Sequence, residues 1–500
     1  MTKSKEQRSP RLSPRQSPKL PKSQPKEKIN WPDDPPAPKD GLILSVNAGS
    51  SSLKISLYQL VRSRPSSPSQ GAQALNTEPV ELMLVSNITS ISSPPASFSF
   101  SISPSSSQFT PSLHESTLVK KQPIEAIKDH ATAFSHFLRH LKEAAGIDKE
   151  QIVHVCHRVV HGGDYFQPVI INEESYHHIE KLSDLAPLHN GAALSVMKAC
   201  IGSLPTANSI AYFDTSFHRT IPPHIASCAI DQTIAKKRGL KKYGFHGLSY
   251  AFIVREVARH LQKEPAATNL IILHLGSGAS ACCVQSGKSL DTSMGLTPLN
   301  GLPGATRSGA IDPSLIFHYT NKAGRISHDR SQAVEVHVTL AEEILNKRSG
   351  WKSLTGTTEF GDIVMHMKEV EERRSRGEEI PEDEEKWKLA FELFRDRILN
   401  YVGSYYLKLQ GKVDALVFSG GIGERSIELR EGVVNRMKCL GFEMDQGRNG
   451  NVDEVSGVVI QVGDGDADGR KKVLVCRTDE QLEMARECAL DKEFWVEDSF

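Results

Sequence analysis

Two stretches decide the architecture: LILSVNAGSSSLKISLY (42–58) and, far downstream, LIILHLGSGASACCVQ (270–285). Each is an apolar run of strand length, then a Gly/Ser-rich turn, then a second strand. A third Gly-rich turn, in FSGGIGERS (418–426), also follows an apolar run. Gly and Ser at such turns let backbone N–H groups approach an anion, and the hydroxyls add donors. One such loop is an ordinary tight hairpin. Three, each directly after a buried strand, point toward nucleotide phosphates. The repeated unit suggests a duplicated domain, with two phosphate-facing loops opposed across a cleft.

Working outward, further strand patterns fall at 152–156, 209–213, 280–285 and 414–419. Helical patterns occupy 126–145, 189–200, 248–262, 332–347 and 388–409. This alternation argues for α/β layers. Three stretches fall outside it. Residues 1–40 read as a disordered basic Ser/Pro-rich tail, and 63–118 (containing SSPPASFSFSISPSSSQFTPS) as a long Ser/Pro-rich surface insertion. Residues 368–388 (KEVEERRSRGEEIPEDEEKWK) form a charge run expected as a solvated helix or loop.

Composition narrows the class. The 500 residues suffice for two or three domains. Lys+Arg and Asp+Glu balance at 60 each, so no global field recommends nucleic acid or a membrane surface as a partner. No apolar run approaches the roughly 20 residues of a membrane helix. The N-terminus lacks the apolar core of a secretory signal, and its prolines spoil an amphipathic presequence, so a cytoplasmic protein is expected. The eight cysteines contain no C-x-x-C pair and read as small buried hydrophobes in a reducing compartment.

The motifs NAGSSSLKISL (47–57), HRVVHGG (157–163), LAPLHN (185–190), FDTSFH (213–218), YGFHGLSY (243–250), HLGSGAS (274–280), LDTSMGLTPLNGL (290–302), TRSGAIDP (306–313), SGGIGERS (419–426) and RTDEQLEMARE (477–487) resemble acetate kinase motifs, in that family's order. The resemblance covers roughly 41–60 and 125–490. It implies an α/β fold of duplicated actin-like ATPase (ribonuclease H-like) domains flanking a nucleotide cleft. Domain one would be 41–215, domain two 216–480, and 481–500 a helix returning to the first. The implied reaction is reversible transfer of the ATP γ-phosphoryl group to acetate, giving acetyl phosphate and ADP, in a homodimer.

Phosphoryl transfer asks a protein to position reactants and to neutralise charge. Arginine suits both jobs, because its planar fork binds carboxylate or phosphoryl oxygens and stays charged. By resemblance, Arg158 holds the acetate carboxylate and Arg307 steadies the moving phosphoryl group. His246 donates to phosphoryl oxygens, and Asp214, at a strand end, positions the reacting groups or accepts a proton. Val160, Leu188, Phe245 and Pro298 form a small apolar socket for the methyl group. Ser50, Ser52, Lys54, His274, Leu275, Gly276, Ser277, Gly278, Phe360, Gly421, Ile422 and Gly423 face the nucleotide. Phe360 is placed to stack on a base. Asn47 and Glu480 are implied for Mg or Mn.

The chain departs from the family pattern at Ser277 and Ala279 in the phosphate loop, at Glu359, Gly361 and Arg425 around the base, and at Tyr250, where His is usual. Rival readings are a kinase of propionate or butyrate, a donor other than ATP, and a non-catalytic nucleotide switch of the actin or chaperone type. Three other patterns fail. GKS at 287–289 has Cys282 where a Walker loop needs Gly; DGDADG (464–469) has Val475 where a calcium loop needs Glu; His157 and His161 lack a metalloprotease glutamate.

Overall fold

Strand β1 (Leu42–Ala48) is mostly apolar, with Leu42–Val46 buried on both faces, and it forms the hub of the first sheet. This computed structural model describes residues 37–38, 41–61, 78–103, 118–182, 187–319, 339–465 and 471–496. On one side β1 pairs antiparallel with β2 (Ser52–Leu60), which pairs with β3 (Val80–Thr89). On the other side it runs parallel to β6 (Ile152–Val159), and β6 parallel to β8 (Asn208–Phe213). Short β7 (Val169–Ile170) closes that edge antiparallel to β8. The strands β4 (Ala96–Ile102) and β5 (Val119–Ile124) extend the opposite edge, giving the order β5-β4-β3-β2-β1-β6-β8-β7.

The second sheet repeats this plan. Its strands are β9 (Leu270–Leu275), β10 (Ala279–Gln285), β11 (Lys288–Thr292), β12 (Ala415–Ser419), β13 (Val459–Gln461) and β14 (Lys472–Cys476). Their order is β11-β10-β9-β12-β14-β13. Here too an antiparallel meander leads into parallel strands, β9–β12–β14, with an antiparallel edge. Apart from β4 and β5, the two sheets match strand for strand. The duplication suggested by the two opening stretches is therefore present in the topology.

Between the sheets lie the helices Gly247–His260 and Glu480–Leu490. The first sends Leu248 into the core of β1, β6 and β8, and Phe252, Ile253 and Val257 into that of β9, β10 and β12. The second packs Met484, Ala485 and Cys488 beside Ile43, Cys156 and Ile210 of the first sheet. An ion-pair network ties the two helices together: Arg255 reaches Glu483 (2.8 Å) and Glu78 (2.7 Å), and Arg259 reaches Glu78 (2.8 Å) and Glu256 (2.9 Å).

The reading of 63–118 as a surface insertion is corrected for its described part. β4 (ASFSFSI) alternates strictly, with Ala96, Phe98, Phe100 and Ile102 buried and the serines turned away. Phe98 meets the rings of His136 and His140 on the helix His130–Ala145 edge-on at 4.6 and 5.1 Å. Composition counted the serines; the period-2 pattern places them on one face of an amphipathic strand. Residues 62–77 and 104–117 lie outside the described residues. The tail reading of 1–40 also changes at one point. Ala37 pairs with Trp495, its N–H donating to Phe494 O at 2.9 Å.

The charge run 368–388 spans the end of helix Phe360–Ser375 and the start of helix Glu385–Lys408, its charged groups mostly at the surface. Helix 332–347 is described only from Leu340 to Lys347. In GKS, Gly287 (φ +72°) forms the β10–β11 hairpin turn. Six cysteines are buried, whereas Cys228 and Cys439 are exposed. Among the described residues, no helix is long and apolar enough to cross a membrane.

Candidate active site

In open α/β sheets ligands gather at the carboxyl ends of the parallel strands. Here β1 delivers Asn47, β6 Arg158 and β9 His274, while Asp214 directly follows β8 and Glu480 follows β14. Arg158 sits at the centre. Its Nη2 is 2.7 Å from Asp214 Oδ2, its Nη1 2.9 Å from Glu480 Oε2, and Nη1 also donates to Asn47 Oδ1 at 3.3 Å. Asn47 Nδ2 donates to Glu480 Oε2 at 2.8 Å, and Ser249 Oγ to Glu480 Oε1 at 2.7 Å. Three sequence-remote motifs thus converge on one guanidinium.

The electrostatics follow from burial. Asp214 is 0% exposed, and loss of water pushes its carboxyl upward, with Glu480 adding to the push and Arg158 opposing it. Burial also acts to raise Glu480, but Arg158, His274 and the Ser249 hydroxyl outweigh it and hold that carboxyl below its ordinary value. Burial acts against the charge on Arg158, yet Asp214 and Glu480 hold it firmly protonated. Arg307 differs. Burial and then the nearby Arg158 lower its pKa, and among the described residues its guanidinium has no carboxylate partner.

Gly278 explains how Arg307 comes so near the phosphate loop. A Cβ there would lie 3.1 Å from Arg307 Nη1, so a bare backbone lets the guanidinium lie over the turn. The same loop is tied to the arginine's segment by Ala305 N–H donating to Ser277 O at 2.9 Å.

His246 occupies left-handed backbone (φ +60°), unusual for a residue with a side chain, at the mouth of the helix Gly247–His260. The neighbouring Gly247 N–H donates to Asp214 O at 2.9 Å, and a Cβ on Gly247 would come within 2.1 Å of that oxygen. Only glycine permits the approach, which fixes the histidine beside Asp214. The His246 ring lies 4.4 Å from that of His274, and Nδ1 is 2.8 Å from Ser280 Oγ. Burial first, then His274, Arg158 and Arg307, drive its pKa well down; His274 is lowered to about 4, chiefly by burial. Both rings are neutral near pH 7.

Val160 and Phe245 meet in one small apolar cluster, with Tyr243, Met294 and Leu296. Pro298 is buried nearby in sequence. Leu188 lies in helix Pro187–Ser203, but its side chain is outside the described residues. His161 donates its backbone N–H to Asn190 Oδ1 (3.0 Å) and rests its ring on Tyr243 at 4.6 Å; among the described residues no cluster suits a metal.

A cavity of about 650 Å³ opens beside the phosphate loop. Gly276, Ser277, Phe360, Gly421, Ile422, Glu359, Gly361 and Arg425 all line it. Phe360 lines the cavity but is only 5% exposed, its ring packed against Trp351 (5.5 Å), Phe394 (5.4 Å) and Phe391 (6.0 Å), so little of it is open to a base. Leu275 ends β9 in the core, and Gly423 is buried in the short helix Gly420–Arg425 that follows β12, where the sequence suggested a turn. Ser50 and Ser52 sit at the β1–β2 turn, and exposed Lys54 pairs across the ladder with Asn47.

Sequence reasoning missed Ser249, Ser280, Tyr243, Met294 and Leu296, and also Arg430. That arginine is 0% exposed and donates to Gly423 O (3.0 Å), Glu424 O (2.6 Å) and Asn449 Oδ1 (2.7 Å), bracing the Gly421–Gly423 turn. A lone arginine in the helix Ile427–Val434 carries no sequence signal of this duty; Ser249 and Ser280 lay within quoted motifs.

Comparison with known proteins agrees with this arrangement. The Acetokinase family model matches residues 106–486. A probable acetate kinase of Emericella nidulans is 45% identical over 461 residues, spanning 90% of this chain and 99% of that one. An acetate kinase of Streptomyces coelicolor is 39% identical, spanning 72% and 81%. Among solved structures, a propionate kinase from Francisella tularensis superposes with TM-score 0.68 at 30% identity, covering 89% of this chain and 98% of that one. Porphyromonas gingivalis acetate kinase gives 0.67 at 28% identity, over 89% and 98%. With its duplicated sheets, its arginine-centred cleft and these relatives, the chain belongs to the acetokinase family.

Proposed function

We propose that the chain is an acetate kinase: an acetate oxygen attacks the γ-phosphorus of ATP in line, the bond to the β-phosphate oxygen breaks, and acetyl phosphate and ADP result, reversibly. The observation that carries this reading is a pair of arginines at a Gly-rich loop, Arg158 close enough to lower the pKa of Arg307, with an apolar cluster beside them. Two anions must meet in this reaction, and fixed cations in a shielded cleft lower that barrier. Arg307, with no carboxylate partner among the described residues, suits the moving phosphoryl group. Arg158 has Nε and both Nη groups already engaged, so it orients acetate through what remains of its fork and through its charge.

Neutral His246 serves as a hydrogen-bond donor to the phosphoryl oxygens. Asn47 and Glu480 are proposed at the Mg position. One carboxylate and one amide are too few for a protein cage, and they fit an ion that keeps waters and arrives on the triphosphate. The ion there offsets phosphate charge. The division into 41–215 with the helix after 481, and 216–480, is proposed as two lobes that close on the nucleotide. Homodimerisation and a cytoplasmic setting are proposed from the resemblance.

A second reading, preference for propionate, is favoured by the Francisella structure. A coupled assay with purified protein, varying acceptor and donor independently, decides. Acetate should give the highest kcat/KM, with propionate lower by roughly 10-fold or more because one methylene is worth ~1–3 kcal/mol. ATP binding without acetate-dependent turnover would overturn the reading in favour of a nucleotide switch.

A further inference from the structure

Tyr250, a position where the chain departs from the family pattern, is 0% exposed, as is Ser280 on β10. The Tyr250 hydroxyl hydrogen-bonds Ser280 Oγ, and that oxygen lies 2.8 Å from His246 Nδ1. Among the described residues, no other hydrogen bond is made by the Tyr250 hydroxyl or by the His246 ring.

Counting protons fixes the direction of this chain. Tyrosine and serine each bring one O–H, and a neutral imidazole brings one N–H. Were Nδ1 protonated, it would donate to Ser280. One of the two hydroxyl protons would then be buried without an acceptor, which folded proteins avoid. With Tyr250 donating to Ser280 and Ser280 donating to Nδ1, every proton is used. The imidazole proton then sits on Nε2, the nitrogen with no protein partner.

We propose that Tyr250 and Ser280 are positioning residues that lock His246 in the tautomer bearing its proton on Nε2, presenting an N–H donor to the transferring phosphoryl group. This rests on the proposed reading of His246 and deepens it. Phenylalanine at 250 would keep the packing against Phe217 (6.2 Å) and His274 (6.3 Å) while removing the proton that orients Ser280. A hydroxyl placed only for packing would not bias the imidazole.

The test uses the whole protein with isotope-labelled histidine, reading the imidazole nitrogens by NMR, with the His246 signals identified by their loss in His246→Asn. The wild type should show an unprotonated Nδ1 and a protonated Nε2 without any ligand. Tyr250→Phe should mix the two tautomers and lower kcat by about tenfold while acetate and ATP KM stay within about threefold, the pattern of an interaction made in the transition state. Ser280→Ala should do the same, the double variant should be no worse than Ser280→Ala, and Ser280→Thr should restore the signature. Protonated Nδ1 in the wild type overturns the proposal, as does Tyr250→Phe that loses kcat with the tautomer unchanged. An Nε2–H signature in a protein without acetate-dependent turnover supports the relay while removing the functional reading it was attached to.

Discussion

The Arg158 guanidinium on β6 meets the carboxylate of Glu480, first residue of the C-terminal helix, at 2.9 Å. This contact fastens the last helix to the carboxyl end of the first sheet's parallel strands. Arg158 also neutralises Asp214, which is 0% exposed. Arg158→Ala should therefore raise the acetate KM and also cost about 3–5 kcal/mol of stability, because it leaves a buried carboxylate unpaired. Denaturant titrations of Arg158→Ala and of Arg158→Ala with Asp214→Asn check this. The double variant should recover much of the loss, and equal stabilities would contradict it.

Among the described residues Arg307 has no carboxylate partner, so Arg307→Ala should leave unfolding nearly unchanged. If it meets the phosphoryl group mainly in the transition state, kcat should fall ~10²-fold or more with little change in acetate KM. Steady-state kinetics beside a melting curve separate this outcome from that of Arg158.

Glu487, on the C-terminal helix, has its carboxyl pushed up to about 7, first by burial and then by the charge of Glu483. Its folded pKa thus lies above the unfolded value of about 4.3. The stability it contributes is complete below that unfolded value and is lost as pH rises through about 7. Glu487→Gln stays neutral, so its unfolding free energy should gain on the wild type steadily between pH 5 and pH 8, by roughly 1 kcal/mol or more. A difference that does not vary with pH would show that the carboxyl is already ionised at the lower pH.

The alternation in β4 separates its two faces. Phe98→Ala should cost ~3–5 kcal/mol as a large-to-small change in a closed core. Ser97→Ala on the outer face should fall within ~0.5 kcal/mol. Paired denaturation curves test the claim, and similar effects from both would return this stretch to the status of a surface insertion.

Around the base, Glu359, Gly361 and Arg425 line the cavity, and Phe360 is locked into the core. Arg425 folds back, its Nε donating to Gly421 O at 3.0 Å. With the phosphate-side glycines kept and little of the Phe360 ring open for stacking, ATP should work but exceed GTP by only about tenfold in kcat/KM, or ~1.4 kcal/mol. Rates with ATP, GTP and CTP at saturating acetate measure it; a preference of a thousandfold would mean that other cavity residues read the base.

The sequence by itself determined the duplicated α/β plan, because the buried central strands must be continuously apolar and the turns beside phosphates must be rich in glycine; both leave local marks, as in LILSVN and HLGSG. Resemblance to the acetokinase family, not composition or order, named the motifs whose residues the structure brings together. The sequence did not reveal β4, since serines on the outer face of a strand look like a linker when counted rather than phased. It took the tertiary structure to show that Arg158 is already shared among Asp214, Glu480 and Asn47, that among the described residues Arg307 has no carboxylate partner, and that Phe360, though it lines the cavity, is mostly packed against Trp351, Phe391 and Phe394. Only the tertiary structure, too, joined Tyr250 to His246 through Ser280. These are matters of which group lies within hydrogen-bond or van der Waals reach of which, across segments far apart in the chain. Local residue patterns fix strands and turns; the partner of a buried charge is fixed by how the two sheets and the helices between them pack.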